Sequence, residues 1–270
     1  METEETVQPE QPSNEMEELS HTDKIVGVIS EPSNLFSKLS FLSTKATDWL
    51  LPLLLLIIVA IVSTFIYMSN PEIKLEMQQQ QEKAMREQFQ KMVESGQMTQ
   101  QQVDEQLDKT AEMMNNPMII YLIPSISIFV IMLLWFFIFT TIAFLISKFA
   151  FKGDGSYSQA MTAMGLPMYI SVLQSIILVI VGLLMGKMLT GLNPASLTGM
   201  DIKTLPGFLL SRLDVFSIWF YIVVGIAFAK MFKSDNVKKY IFTSIGFWLV
   251  FMFIIFGLSK VSPMFGNMIR

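Results

Sequence analysis

Few side chains in this protein could do chemistry. The chain has no cysteine, which excludes disulfides, thiolate catalysis and thiolate-bound zinc or iron–sulfur clusters. Its single histidine, His21, lies among Ser20, Thr22 and Asp23. At that position we interpret it as a residue that starts a helix or is solvated, rather than as a metal ligand or a general base. We therefore expect no cofactor and no bound metal.

Two short polar sequences resemble parts of binding or catalytic loops. GDGS at 153–156 lacks the residue spacing of a calcium loop and of a phosphate loop, and is interpreted as a flexible turn. SDN at 234–236 matches one element of penicillin-binding enzymes, but no Ser-x-x-Lys element accompanies it. The apolar runs contain no Ser/His pair, no aspartate pair and no His-Glu-x-x-His helix. The sequence therefore predicts a protein that is not an enzyme.

Long apolar runs dominate the chain and must position everything else. Hydrophobic residues make up 52% of the sequence and charged residues only 16%, and a run of about 20 apolar residues spans the hydrocarbon core of a bilayer as a helix. The cores of these runs hold no Lys, Arg, Asp, Glu or His, which argues against proton relays and ion pathways. The predicted fold class is an all-α, polytopic integral membrane protein (residues 49–258). Its five transmembrane helices are expected at about 49–68, 119–146, 166–186, 213–232 and 240–258.

The segment before the first span divides into two parts. Residues 1–21 are acidic and rich in Gln, Pro and Ser, so we predict a disordered tail. In the second part, residues 22–48, the helical spacing of apolar residues indicates a short amphipathic helix at the interface. Its apolar face either contacts lipid or a partner, or packs on the membrane helices as a collar. The candidate residues for contact with lipid or with a partner are Leu35, Phe36, Lys38 and Leu39.

A long insertion separates the first two spans. Residues 70–116 are rich in Gln and Met and have turn residues only near Ser95 and Gly96, which predicts an amphipathic helical hairpin. Thr99 and Gln102 have the spacing of a capping box at the start of its second arm. Methionine suits adaptable binding surfaces, so the hairpin is either a docking surface or a pair of arms that pack on each other. A short tail, 259–270, follows the last span.

The distribution of lysines predicts the orientation. The densest cluster, Lys230, Lys233, Lys238 and Lys239, flanks the link between the fourth and fifth spans, which should face the cytoplasm. With five spans, the N-terminus is then cytosolic and the C-terminus extracytoplasmic. The same four lysines are candidate contacts for lipid headgroups or for a protein partner.

Small residues predict close helix packing. Gly182 and Gly186 form a G-x-x-x-G pattern in the third span, and Gly225 and Ala229 give the same spacing in the fourth. Packing within one chain is the favoured interpretation, with a homo-oligomer as the alternative. Gln174 is a polar amide inside the third span and is expected to hydrogen-bond another helix.

Three stretches carry a resemblance to a known family. In chain order they are KIVGVI at 24–29, followed by Pro32, Leu35 and Phe36; residues 156–184, with Tyr157, Gln159, Ala160 and Pro167; and FSIW at 216–219, with Gly225 and Ala227, followed by the basic link through Lys238. Their order and the five-span plan resemble the bacterial branch of the Yip-one family. The resemblance covers about residues 23–258, apart from the hairpin.

This resemblance implies a cytosolic N-terminus, five membrane helices and, in eukaryotic relatives, a role in vesicle traffic through Rab-type small GTPases. The eukaryotic signature Asp-Leu-Tyr-Gly-Pro is not found here, so GTPase binding is not carried over. The expected location is a bacterial cytoplasmic membrane, with a eukaryotic secretory membrane as the alternative.

The sequence thus predicts a non-enzymatic membrane scaffold or adaptor that contacts membrane lipids and a protein partner of unknown identity, and not nucleic acid. The alternatives are a transporter or channel for an apolar or lipidic solute, and an accessory subunit that grips its partner with the hairpin.

Overall fold

The computed structural model describes residues 18–113, 116 and 118–261, and every regular element in that part of the chain is helical. Most of the predicted disordered tail at 1–21, and most of the predicted tail at 259–270, lie outside the described residues. The helices are α1 (His21–Ser30), α2 (Pro32–Leu39), α3 (Thr47–Ser69), α4 (Pro71–Glu94), α5 (Gln100–Met113), α6 (Ile123–Leu145), α7 (Tyr157–Gly165), α8 (Met168–Met185), α9 (Pro194–Thr198), α10 (Leu205–Ser211), α11 (Val215–Met231) and α12 (Val237–Val261).

Four helical stretches in the described residues are long and apolar enough to cross a membrane. Only 11% to 28% of the residues in their most apolar windows are buried inside the protein, so most of this apolar surface must face a non-aqueous environment. Helices α10 and α11 join at an angle of 59° and make a fifth span if the bent pair crosses as one. The predicted fold class is confirmed. The four stretches that are long and apolar enough to cross a membrane are Thr47–Ser69, Met118–Ala150, Tyr157–Met185 and Val237–Val261.

The bend between α10 and α11 has a local cause. The side chain of Asp214 accepts a hydrogen bond from the backbone N–H of Ser217, at 2.9 Å, and so caps a new helix that begins at Val215. A capped helix start forces the preceding chain out of helical geometry. The predicted fourth span at 213–232 therefore coincides with α11, and α10 is an additional short helix at an angle to it.

The hairpin consists of α4 and α5, joined by a turn in which Gly96 has a positive φ of 72°. The predicted capping box is present, because the backbone N–H groups of Thr99 and Gln102 each donate to the other residue's side chain. Ile73, at the base of α4, is fully buried against Tyr67 of α3 and against α8. The base of the hairpin is thus anchored to the membrane helices, whereas the middle of α4 is largely exposed. The docking role of the hairpin stays a prediction.

The predicted packing residues have different local roles. A Cβ atom on Gly225 would lie 2.5 Å from Cα of Ile241, so α11 and α12 approach backbone to backbone there. Ala229 is fully buried one turn further along α11. Gly182 lies close to the hydroxyl of Tyr67. Gly186 ends α8 with φ of 64°, in the left-handed conformation that glycine adopts at helix C-termini, and a Cβ atom there would lie 3.6 Å from a carboxylate oxygen of Glu72.

The main core lies between α2, α3, α7, α8 and α11, at the end of the bundle where the N-terminal helices dock. Among its fully buried side chains are Phe36, Leu53 and Ile170. Gly165, at the end of α7, lies directly on the backbone of Trp49 in α3, which brings these two helices into close contact. This core fixes the position of the end of the molecule described next.

Candidate functional site at the basic end of the bundle

Helices α1 and α2 form a collar (residues 21–39) on one end of the membrane helices. Leu35, Phe36 and Leu39 are at most 5% exposed and belong to the main core, because α2 packs along α11. They are therefore not available to lipid or to a partner, and the amphipathic face of α2 serves packing within the molecule. Lys38 lies on the opposite face and is exposed.

A buried ion pair fixes the collar to the first span. Nζ of Lys24 in α1 lies 2.6 Å from Oδ1 of Asp48 at the start of α3, and the two side chains are 7% and 1% exposed. Two charges removed from water together are stable only when they are paired and hydrogen-bonded. This pair was not predicted from the sequence, where Asp48 directly precedes the first apolar run and Lys24 was only part of a family motif.

His21 makes a second contact between the collar and the bundle. It is the first residue of α1, as its position suggested, but it is half-buried rather than solvated. Its Nε2 atom lies 2.5 Å from the hydroxyl oxygen of Tyr169 in α8. Burial lowers the pKa of His21, and the nearby carboxylate of Asp48 partly opposes this. His21 therefore favours the neutral form and acts as a structural contact.

Two loops meet beside the collar. The backbone N–H of Asp154, in the loop after α6, donates to the carbonyl of Phe232, in the loop after α11, at 3.1 Å. A Cβ atom on Gly153 or Gly155 would lie 2.8 Å or less from the side chain of Phe232. The GDGS sequence, interpreted above as a flexible turn, is thus closely fitted to the neighbouring loop. The reason is the lack of side chains at 153 and 155, which lets the aromatic ring lie against the backbone.

The predicted lysine cluster lies on this pair of loops. Lys233, Lys238 and Lys239 are exposed and Lys230 is half-buried. Lys239 extends its ammonium group over the ring of Phe151, with Nζ 3.8 Å from the ring centre. The carboxylate of Asp154 lies 3.9 Å from Nζ of Lys233 and 4.0 Å from that of Lys148. The two loops therefore form one surface on which lysines outnumber carboxylates, called here the basic end (residues 148–156 and 230–239).

The chain that follows the collar packs beside the basic end, at the start of α7. The side-chain amide of Gln159, in the first turn of α7, donates to the carbonyl of Ser40 at 3.4 Å. The hydroxyl of Thr44 hydrogen-bonds that of Ser158. Lys45 pairs with Glu18 at 2.7 Å, and this exposed pair lowers the pKa of Glu18 and raises that of Lys45. The collar and both loops therefore lie at one end of the bundle.

A polar cluster lies toward the opposite end. As predicted, Gln174 bonds another helix: its side-chain amide donates to Oδ1 of Asp214 at 3.0 Å. Asp214 also accepts from the backbone N–H of Leu192 at 2.7 Å. Asp214 is 3% exposed, so this carboxylate is a buried structural acceptor that ties α8 to α11. It borders a polar cavity of about 280 Å³.

An apolar cavity of about 270 Å³ occupies the half of the bundle nearer the basic end. Ser171, Phe220, Tyr221 and Trp248 line both this cavity and the polar one. Tyr221 and Trp248 stack with ring centres 4.9 Å apart, so an aromatic layer separates the two spaces. Neither cavity was predicted, because a cavity depends on distances between helices that the sequence does not give.

The sequence of this chain matches the model of a known family. A family model for the Yip1 domain matches residues 26–258 of the chain, from α1 through most of α12. The chain belongs to the Yip1 domain family. The match confirms the family resemblance of the three stretches described above, and its range includes the α4–α5 hairpin. The collar from residue 26 onward, the basic end and both cavities lie within the Yip1 domain. Neither curated proteins nor solved structures yield a match to this chain.

Proposed function

We propose that this Yip1-domain protein is a non-enzymatic membrane scaffold or adaptor that uses its basic end to engage acidic lipid headgroups or an acidic surface of a partner protein. The observation that carries the proposal is the interlocked pair of loops. The Asp154–Phe232 hydrogen bond and the close fit of Gly153 and Gly155 hold exposed lysines in a fixed arrangement. A preorganised surface loses less entropy on binding than a mobile one.

The proposal includes an orientation. Lysines near the ends of membrane helices favour the cytoplasmic side, so the basic end and the collar face the cytosol. The hairpin and the segment between α8 and α10 then lie on the other side. A cytosolic basic end would meet the negative surface potential of the inner leaflet, which attracts each nearby lysine by about 1 kcal/mol.

The test is to replace Lys233, Lys238 and Lys239 by glutamine. We expect in-membrane cross-linking at the basic end, to lipid or to protein, to fall by about tenfold or more at low salt, because three attractive charges are removed. The matched control replaces Lys83, Lys91 and Lys109 of the hairpin, which are also exposed, and should leave the cross-links unchanged. Equal cross-linking in both triple variants, with insertion and topology intact, would refute the proposal.

A second candidate is a transporter for an apolar or lipidic solute. It is favoured by the two cavities that meet at the Tyr221–Trp248 layer. An apolar solute that passes through these cavities would need no charged side chain along its path. Lipid or solute flux in liposomes above that of heat-inactivated protein would support this candidate.

A further inference from the structure

The apolar cavity is a crevice between α6 and α12. These two helices meet through aromatic side chains rather than by close approach of their backbones. The ring centres of Trp135 and Phe251 are 5.4 Å apart, and those of Phe139 and Phe247 are 5.8 Å apart. All four side chains are only half-buried on the side of α6 and α12, and the cavity is partly open. Because both helices are membrane spans, this side faces the hydrocarbon of the bilayer.

The dimensions of the crevice fit one acyl chain. Its lining along α12 runs from Tyr240 to Phe251, which is about 16 Å at the helical rise of 1.5 Å per residue. The lining is aromatic and aliphatic apart from a few hydroxyls, such as those of Ser147 and Ser244. An extended hydrocarbon chain matches a narrow apolar space of this length better than a compact solute does.

The end of the crevice nearest the loops is positively charged. Phe151 lines the crevice, and its ring lies under the ammonium group of Lys239 at 3.8 Å. Within the described part of the chain, Lys239 forms no ion pair with a carboxylate, whereas Lys148 and Lys233 share Asp154. Lys239 also lies in the first turn of α12, where the helix dipole favours an anion. The charge at the mouth of the crevice therefore complements a phosphate group.

We propose that the crevice binds one anionic phospholipid, with an acyl chain between α6 and α12 and the phosphate at Lys239. The proposal deepens the proposed function, on which it rests for the cytosolic position of the basic end. It differs in naming one site with one occupant, rather than a surface attracted to acidic groups in general.

The first test fills the crevice. Ser244→Leu adds a branched side chain into its lining, and Ala143→Leu does so from the facing helix α6. The matched control is Gly246→Leu, because a Cβ atom there meets nothing within 4 Å. Each protein is purified from membranes containing phosphatidylglycerol and phosphatidylcholine of equal chain length. Native mass spectrometry then counts the retained lipid.

The expected result is one retained phosphatidylglycerol in the unmodified protein and in Gly246→Leu. Retention should be about tenfold lower in Ser244→Leu and Ala143→Leu, since overpacking excludes the chain. The second test compares two neighbouring lysines: Lys239→Gln should lower the preference for phosphatidylglycerol about fivefold, and Lys238→Gln much less. Lysine variants change the headgroup preference, and crevice variants change the retention of both lipids.

The proposal fails if both crevice-filling variants fold and keep the lipid, or if phosphatidylcholine is retained as well as phosphatidylglycerol. It also fails if Lys238→Gln and Lys239→Gln have equal effects. The lysines at 233, 238 and 239 are unchanged in the crevice variants. Loss of the retained lipid from these variants, with normal cross-linking at the basic end, would therefore support the crevice site and leave the proposed function intact. If lipid retention is normal and the amount of cross-linking at the basic end is the same in the triple lysine variant as in the unmodified protein, the proposed function is refuted instead.

Discussion

Gly225→Leu is expected to separate α11 from α12 and to lower the stability of the protein by about 3 kcal/mol, at the upper end of the cost of overpacking. The neighbour of the added Cβ atom is backbone, since Cα of Ile241 lies 2.5 Å and its N atom 2.8 Å from that position. A backbone atom of a long helix cannot move aside as a flexible side chain does. Thermal unfolding of the purified protein in detergent measures the loss.

Gly246→Leu is the matched control for this change. It places the same side chain on α12 where a Cβ atom meets open space, so it should change stability by no more than about 0.5 kcal/mol. An equal decrease in stability for both variants would show that leucine at a glycine of these helices is harmful in itself. The close contact between α11 and α12 would then not be what the glycine at 225 provides.

Asp48→Ala is expected to destabilise the protein by about 3 to 5 kcal/mol, because it leaves the ammonium group of Lys24 buried without a partner. The pair is almost completely removed from water, at 7% and 1% exposed. Loss of Asp48 should also release the collar from the bundle, which would appear as faster proteolysis within α1. Thermal unfolding and limited proteolysis together measure the two effects.

Two further variants isolate the cause. Lys24→Met combined with Asp48→Leu removes both charges and should recover most of the stability, as replacements of buried ion pairs by apolar residues often do. Lys45→Ala breaks only the exposed pair with Glu18 and should lower the stability far less than Asp48→Ala does, because water screens an exposed pair. If the double variant were as unstable as Asp48→Ala, the uncompensated charge would not be the reason for the loss.

The membrane helices could be predicted because their signal is local. A run such as 49–68 contains no Lys, Arg, Asp, Glu or His and has the length of the bilayer core, and no knowledge of its neighbours is needed to recognise it. The break before α11 also has a local signal in the capping residue Asp214, but the apolar composition on both sides of it obscures the start of the helix.

What covers an apolar face could not be predicted. Leu35, Phe36 and Leu39 have the same spacing whether they face lipid or protein, and only the docking of α2 on α11 buries them. The pair of Lys24 and Asp48 joins residues 24 positions apart. It forms because the chain after α2 places the start of α3 beside α1. The crevice at Phe151 and Lys239 likewise requires two loops that are distant in sequence.

The collar and the two loops share one end of the bundle, and we propose that this end faces the cytosol. Because the chain has no cysteine, single cysteines at exposed positions report their side of the membrane without background from native cysteines. The positions are Ser43, in the chain after the collar, and Asp235, in the basic end, with Gly96 and Met200 toward the opposite end of the bundle. Their reaction with a membrane-impermeant maleimide in intact and in permeabilised cells is the most direct test.

We expect cysteines at 96 and 200 to react in intact cells, and those at 43 and 235 only after permeabilisation. Labelling of 200 and 235 from the same side, or of 43 and 235 from opposite sides, would contradict the account.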